Sequence, residues 1–287
     1  MQVPAPAKIN LTLRVRGRRP DGFHEVESVM QMCTLADTLT VADADGLVFT
    51  CSDPALRTED NLAVRAARLL MAQCPTPPRG AKIHLEKAIP MQAGLGGGSS
   101  DAAAALAALN EVWDIRLTLD RLATLAAQLG SDVPFFLDGP CSLVRGRGEA
   151  VVPVLHDAAC HLVLAKSAVG LSTADVYAHL HAAPAPASPA PLPETAAMIA
   201  ALRAGDVGAI ARALVNDLEA PAFALLPELA RGRRRMLEEG CLGVVLCGSG
   251  SALCGICPDA AHAAHAARDL TNDFPWTASA RFIVPPL

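Results

Sequence analysis

Residues 90–110 read PMQAGLGGGSSDAAAALAALN. Four glycines (Gly94, Gly96, Gly97 and Gly98), two serines and an aspartate stand directly before an alanine-rich run that reads as helix. Each glycine costs about 0.5–1 kcal/mol relative to alanine in regular structure. Four of them at the mouth of a helix therefore call for a reason beyond capping. A glycine run leading into a helix N-terminus lets backbone N–H groups converge on an anion, where the helix end adds a partial charge of about +0.5. Phosphate is the expected occupant. Ser99 and Ser100 can cap the helix or meet a phosphate or Mg2+, and Asp101 suits the first turn. Pro90 opens the loop and Leu95 interrupts its glycines.

The loop fits neither common phosphate fingerprint. No lysine follows the glycines as in G-x-x-x-x-G-K-[ST], and the third glycine of G-x-G-x-x-G is replaced by Ser99. Positive charge must come from elsewhere in the chain, which has only Lys8, Lys82, Lys87 and Lys166 as lysines.

Length and composition bound the rest. The chain's 287 residues suggest about two domains. At 52% hydrophobic and 18% charged it is globular in composition. A net charge of −5 with no long basic run argues against nucleic acid as a partner. No apolar run approaches the ~20 residues of a membrane helix, and the opening MQVPAPAKINLTLRV lacks the layout of a signal peptide. A cytoplasmic protein with reduced thiols is expected, its nine cysteines reading as core residues. Cys254 and Cys257 form a C-x-x-C, but alternation puts them on opposite faces of one strand. The Asn10 sequon, NLT, is expected to be accidental. A monomer or weak homodimer is expected.

Strand-like alternation fills AKINLTLRV, FHEVESVMQMC and DTLTVADADGLVFTC, and returns in AKIHLEKAIP, PCSLVRGRGEAVVPV and CHLVLAKS. Helical spacing marks residues 61–74, the run after the glycines to Trp113, and LDRLATLAAQLG with Gly130 as its stop. Later helices are expected near 173–180, 193–204, 207–214, 226–239 and 259–270. LGVVLCGS and SALCGICP read as strands joined by a tight glycine-serine turn, and WTASARFIV as the last strand. The Pro/Ala-rich stretch 181–193 reads as an extended surface loop. Strands and helices mix without regular βα alternation, so the fold class is two-domain α+β, with domains at 1–154 and 155–287.

Three segments in order, PAPAKINLTLRVRGRRPDGFHEVESVMQ, PMQAGLGGGSSDAAAAL and LCGSGSALCGI, resemble the three motifs of the GHMP kinase superfamily of small-molecule kinases. AKINLTL, RPDGFHE and GSDVPFF look like its branch that phosphorylates a cytidine-diphosphate methylerythritol in non-mevalonate isoprenoid synthesis. The resemblance spans nearly the whole chain. It implies an N-terminal domain like the second domain of ribosomal protein S5 and a ferredoxin-like C-terminal domain. It further implies ATP with Mg2+, and a small-molecule acceptor.

By the same resemblance Asp132 is the carboxylate that takes the acceptor's proton, and Lys8 lies beside it and the hydroxyl. A cation there keeps the aspartate ionised and favours developing alkoxide. Phe23 and Tyr177 are implied to stack on cytosine while His24 reads the base edge; Phe23 stands where the family commonly has tyrosine. Asn10 is implied to reach the methylerythritol, with Thr173 a further contact. Asn61 and Lys87 match positions near the adenosine, Gly94–Ser100 wrap the phosphates, and Ser100 is a weak candidate ligand for Mg2+. The turn Gly248, Ser249, Gly250 is implied to support the loop rather than act in the chemistry.

Overall fold

Alternation in the opening residues does make strands, and longer ones than the turn signals suggest. Along the chain the strands are β1 (Gln2–Arg18), β2 (His24–Asp43), β3 (Gly46–Cys51), β4 (Gly80–Glu86), β5 (Cys141–Gly146), β6 (Ala150–Pro153), β7 (His161–Lys166), β8 (Val215–Asn216), β9 (Gly243–Leu246), β10 (Ala252–Cys257) and β11 (Trp276–Arg281). The helices are α1 (Leu62–Met71), α2 (Gly97–Val112), α3 (Leu119–Leu129), α4 (Phe135–Asp138), α5 (Thr173–Ala178), α6 (Pro193–Ala204), α7 (Val207–Arg212), α8 (Glu219–Leu225), α9 (Glu228–Glu238) and α10 (Ala260–Asp269). HEVESVMQMC and DTLTVAD belong to one strand of 20 residues, which Phe23 precedes, because TLA between them contains no residue that breaks pairing. The chain beyond Glu86 in AKIHLEKAIP is not strand, and β8 and α8 carry no periodicity long enough to anticipate.

This computed structural model describes residues 1–74, 80–180 and 190–284. Most of the extended loop expected at 181–193 therefore lies outside the described residues. The chain divides into two units, Met1–Ala7 with Ala36–Ile89 and Gly96–Gly139, and Lys8–Leu35 with Pro90–Leu95 and Pro140–Leu287. Among the described residues no helix is long and apolar enough to cross a membrane.

In the first unit the second half of β2 pairs antiparallel with β4 (Thr38↔Glu86 to Asp43↔Ala81), and β4 pairs parallel with β3. Leu39, Val41, Ile83 and Leu85 face a core shared with α1, α2 and α3. The alanines of α2 are the reason two helices fit there: Ala102, Ala105 and Ala108 are buried, with Leu106 and Leu109 filling between them. Truncating such a buried leucine to alanine costs about 2–5 kcal/mol. Asn61 caps α1 and Thr118 caps α3, each through its side-chain oxygen. Gly130 ends α3 as its sequence position suggests.

In the second unit the first half of β2 pairs with β5, β5 pairs with β6, and β1 takes the two-residue β8 in parallel. A separate four-stranded sheet has the order β11-β7-β10-β9, each neighbour antiparallel. Its core combines Val163, Leu246, Leu253 and Cys257 with Leu229 and Met236 of α9 and Ala263 and Ala266 of α10. This helix-backed antiparallel sheet is the ferredoxin-like half of a two-domain α+β fold. All nine cysteines are free thiols. Cys257 faces that core beside Leu253 while Cys254 lies outside it, as alternation predicts.

Candidate active site

The glycine loop is shaped by the protein's own backbone before any ligand is considered. Gly94 has φ +75°, and a Cβ there would stand 1.8 Å from the carbonyl oxygen of Cys247. That approach leaves room only for glycine. Loop and turn are stitched together by Ser251 N donating to Gln92 O at 3.1 Å and Ala252 N to Ala93 O at 3.0 Å. Gly96, with φ 74°, is the N-cap of α2, and no side chain caps that helix. Ser99 and Ser100 lie inside the helix, so neither is the cap. The first-turn N–H groups, which have no intrahelical partner, are left to an anion or water. Ser100 Oγ is buried without a hydrogen-bond partner, and so is Asp101 Oδ1 one residue on.

Lys8 meets this structure from β1. Its backbone N–H donates to Leu95 O at 2.9 Å. Its ammonium is close enough to the turn that a Cβ on Gly248 would stand 3.3 Å from Nζ. Nζ donates to Asn10 Oδ1 at 2.5 Å, and Asn10 Nδ2 donates to Ser28 Oγ at 2.9 Å. Asn10 thus has both ends of its amide engaged, and one of them orients the lysine. Asn216, on β8, donates to Leu246 O at 2.9 Å and Gly248 O at 2.7 Å while its Oδ1 accepts from Leu218 N. It clamps the turn that carries Gly248, Ser249 and Gly250. Sequence reading missed Asn216, because nothing local marks it.

Ser249 Oγ shares a 2.8 Å hydrogen bond with Thr173 Oγ1, at the start of α5. One turn later the same helix presents Tyr177. The Tyr177 ring is stacked on His24, with centroids 4.8 Å apart and planes inclined by 29°. Burial, helped by the charge of Arg18, holds the His24 pKa below its ordinary value, so the ring is neutral near pH 7 and keeps an acceptor nitrogen. Phe23 stands apart from this stack, 52% exposed, with the Arg147 guanidinium 4.8 Å over its ring. The structure therefore joins His24 to Tyr177 and gives Phe23 a cation instead of a second aromatic. Arg147, on the β5–β6 turn, is a further residue that sequence reading did not find.

The remaining expected residues lie in the first unit. Asp132 sits half-buried on the turn between α3 and α4, fixed by Val133 N donating to Gly130 O and by the buried side chains of Val133 and Phe135. Asn61 accepts from Ala63 N at 2.9 Å and donates to Leu56 O at 3.1 Å, so its amide is used by the local chain. Lys87 Nζ is 2.8 Å from Asp101 Oδ2 and in closer contact with Asp37 Oδ2. Burial works to lower the Lys87 pKa, but Asp101 and Asp37 carry it above the ordinary value. Burial pushes the Asp101 carboxyl up to about 7, a rise that Lys87 opposes and Asp37 reinforces. Asp101 is beyond the first turn of α2, so its sequence position near the helix start serves Lys87 rather than the helix dipole.

Residues 61–140 match the family GHMP kinases N terminal domain, and residues 198–275 match GHMP kinases C terminal. A 4-diphosphocytidyl-2-C-methyl-D-erythritol kinase of Synechococcus sp. (strain JA-3-3Ab) is 43% identical over 278 residues, which cover 94% of this chain and 89% of the relative. That of Symbiobacterium thermophilum is 44% identical over 261 residues, covering 90% of this chain and 91% of the relative. The crystal structure of a 4-(cytidine 5'-diphospho)-2C-methyl-D-erythritol kinase matches with a TM-score of 0.83 at 37% identity, covering 98% of this chain and 99% of that one. A homoserine kinase from Cytophaga hutchinsonii shares the fold at a TM-score of 0.73 and 19% identity, covering 99% of this chain and 94% of that one.

Proposed function

This chain belongs to the GHMP kinases, in the family of 4-diphosphocytidyl-2-C-methyl-D-erythritol kinases, and from that membership we propose that it transfers the γ-phosphoryl group of ATP to the 2-hydroxyl of 4-diphosphocytidyl-2-C-methyl-D-erythritol. The acceptor oxygen attacks the γ-phosphorus, the bond to the bridging oxygen breaks, and ADP and the 2-phosphate leave. Phosphoryl transfer asks mainly for positioning and for charge stabilisation. The first-turn amides of α2, from Gly97 onward, receive the nucleotide's phosphates, with Pro90 and Gly94–Gly96 setting the loop. Asn61 and Lys87 frame the nucleotide side. Asp132 accepts the proton released by the hydroxyl, and Lys8, held by Asn10, supplies positive charge to the oxygen as it loses that proton.

Mg2+ fits the buried, unpartnered Ser100 hydroxyl at the head of α2. It would supply charge neutralisation on the nucleotide's phosphates. Residues 1–154 would then hold the nucleotide machinery and 155–287 complete the acceptor side.

The observation that carries the choice of acceptor is the stack of His24 on Tyr177. It lies one helical turn from Thr173, which bonds the turn beside Lys8. A flat ring that takes the place of one partner in that stack would be gripped on its face by the other, as a cytosine base requires. Mevalonate and homoserine have no base to offer. ADP release measured with the cytidyl compound, mevalonate and homoserine in turn is the direct test. Turnover of either smaller acceptor, with none of the cytidyl compound, would overturn the assignment.

A further inference from the structure

Under the first turns of α2 lies a buried carboxylate with no part in the proposed chemistry. Asp37 is fully buried, and its Oδ1 accepts the N–H groups of Ala88 at 2.6 Å and Ile89 at 2.8 Å. Those two peptides form the corner by which β4 leads to Pro90. Its other oxygen, Oδ2, takes the ammonium of Lys87. That ammonium in turn donates to Asp101 Oδ2 at 2.8 Å, within α2. A Cβ on Gly97 would stand 3.4 Å from Asp37 Oδ2 and 3.0 Å from Ile89 Cγ2. The same carboxylate and the same corner therefore also abut the first residue of the helix. One side chain, delivered by β2, touches the strand exit, the approach to the loop and the helix start.

Stability alone does not explain this arrangement. Two buried carboxyls around one ammonium leave the group between neutral and singly negative near pH 7, since the Asp101 pKa is drawn up to about 7. Apolar residues of similar volume commonly replace buried ion pairs without loss of stability. Nor can such a group serve to attract an anion, since it carries no net positive charge. What the group does supply is a fixed geometry, with every link a charge-assisted hydrogen bond. We propose that Asp37 is a positioning residue for the nucleotide's triphosphate: through Lys87 and Asp101 it sets the direction in which the first-turn amides of α2 point. The inference rests on the reading of Gly94–Ser100 as the phosphate loop of an ATP-dependent kinase.

Steady-state kinetics of the wild type, Asp37→Asn and Asp101→Asn, varying ATP and the cytidyl acceptor separately, test it. Asp37→Asn keeps an oxygen for Ala88 and Ile89 and drops the ion pair. Its KM for ATP should rise at least tenfold while that for the acceptor stays within twofold. Asp101→Asn should move the same constant in the same direction. A purely structural role would lower the amount of folded enzyme, and so the apparent kcat, without splitting the two KM values. Should Asp37→Asn fail to fold, Asp101→Asn, which leaves Asp37 with its bonds to Ala88, Ile89 and Lys87, carries the test and must show the same split. A KM for ATP within twofold of the wild type in the folded variants overturns the positioning role. Absence of any ATP turnover by the wild type would instead strike the kinase reading itself, and this inference with it.

Discussion

Alanine at Gly94 adds one carbon where the backbone leaves no room for it. The residue's φ of +75° is a left-handed conformation, which costs a non-glycine residue about 1–2 kcal/mol. The added methyl would lie 1.8 Å from Cys247 O and 2.7 Å from its carbonyl carbon. Both atoms are backbone, so no rotamer change can relieve the overlap. Loop and turn must separate by more than about 1 Å, the scale of misplacement that can cost a factor of about 10² in rate. The separation also breaks the bonds from Ser251 and Ala252 to Gln92 and Ala93, each worth about 0.5–1.5 kcal/mol net. Gly94→Ala should thus destabilise the protein by about 2–5 kcal/mol and lower kcat/KM by about 10². Gly98→Ala is the control, since its Cβ would find only Leu62 Cδ1 at 3.6 Å. It should fold at least as well as the wild type, because alanine is the better helix residue. ADP-release kinetics and thermal unfolding of the two variants decide the matter. A Gly94→Ala protein with wild-type melting and activity within threefold would refute the claim that the loop is seated on the Cys247 carbonyl.

Asp132→Asn should lower kcat by about 10²–10⁴ with both KM values nearly unchanged, the usual span for a positioned base; a fall of less than tenfold would demote Asp132 to a turn residue. Tyr177→Ala should weaken acceptor binding by about 1–3 kcal/mol, the range for a lost ring stack, and leave ATP affinity alone; calorimetry with the acceptor reads both. The raised Asp101 pKa means that the folded state holds a proton which the unfolded chain has released between its ordinary value and about 7. Stability should therefore fall as pH rises through that window, since the folded state binds more protons there. Asp101→Asn should flatten this slope in urea titrations at pH 4.5 and 7, and an unchanged slope would assign it to other groups.

What was legible in the sequence was what local chain physics dictates. The apolar spacing within residues 61–74 and the Gly130 stop lie within a few residues of the helices they define, whereas the Asn61 and Thr118 caps emerge only from the structure. Alternation in ALCGIC was enough to put Cys254 and Cys257 on opposite faces, because side-chain direction in a strand has a period of two. The Asp37–Lys87–Asp101 group had no such signal: its members are separated by 50 and 14 residues, and each alone reads as an ordinary charged residue. Asn216 was invisible for the same reason. Its strand is two residues long, and its meaning comes from pairing with Thr12 and Leu13 and from the turn it clamps.

The glycine run shows where a local inference can carry an incomplete reason. Chemistry at the ligand explains only part of it. Gly94 is required by the Cys247 carbonyl, Gly96 by the left-handed cap of α2, and Gly97 by the close approach of Ile89 and Asp37. Only at Gly98 does the protein itself leave ordinary room for a side chain. A glycine there is the one whose absence of Cβ the fold does not demand, so it is the position at which substitution reports on the phosphates. Stability intact and ATP affinity reduced in Gly98→Ala would separate the ligand's demand from the fold's. The three other glycines cannot make that distinction, because replacing Gly94 or Gly96 strains the backbone and replacing Gly97 crowds the side chains of Ile89 and Asp37 before a nucleotide arrives.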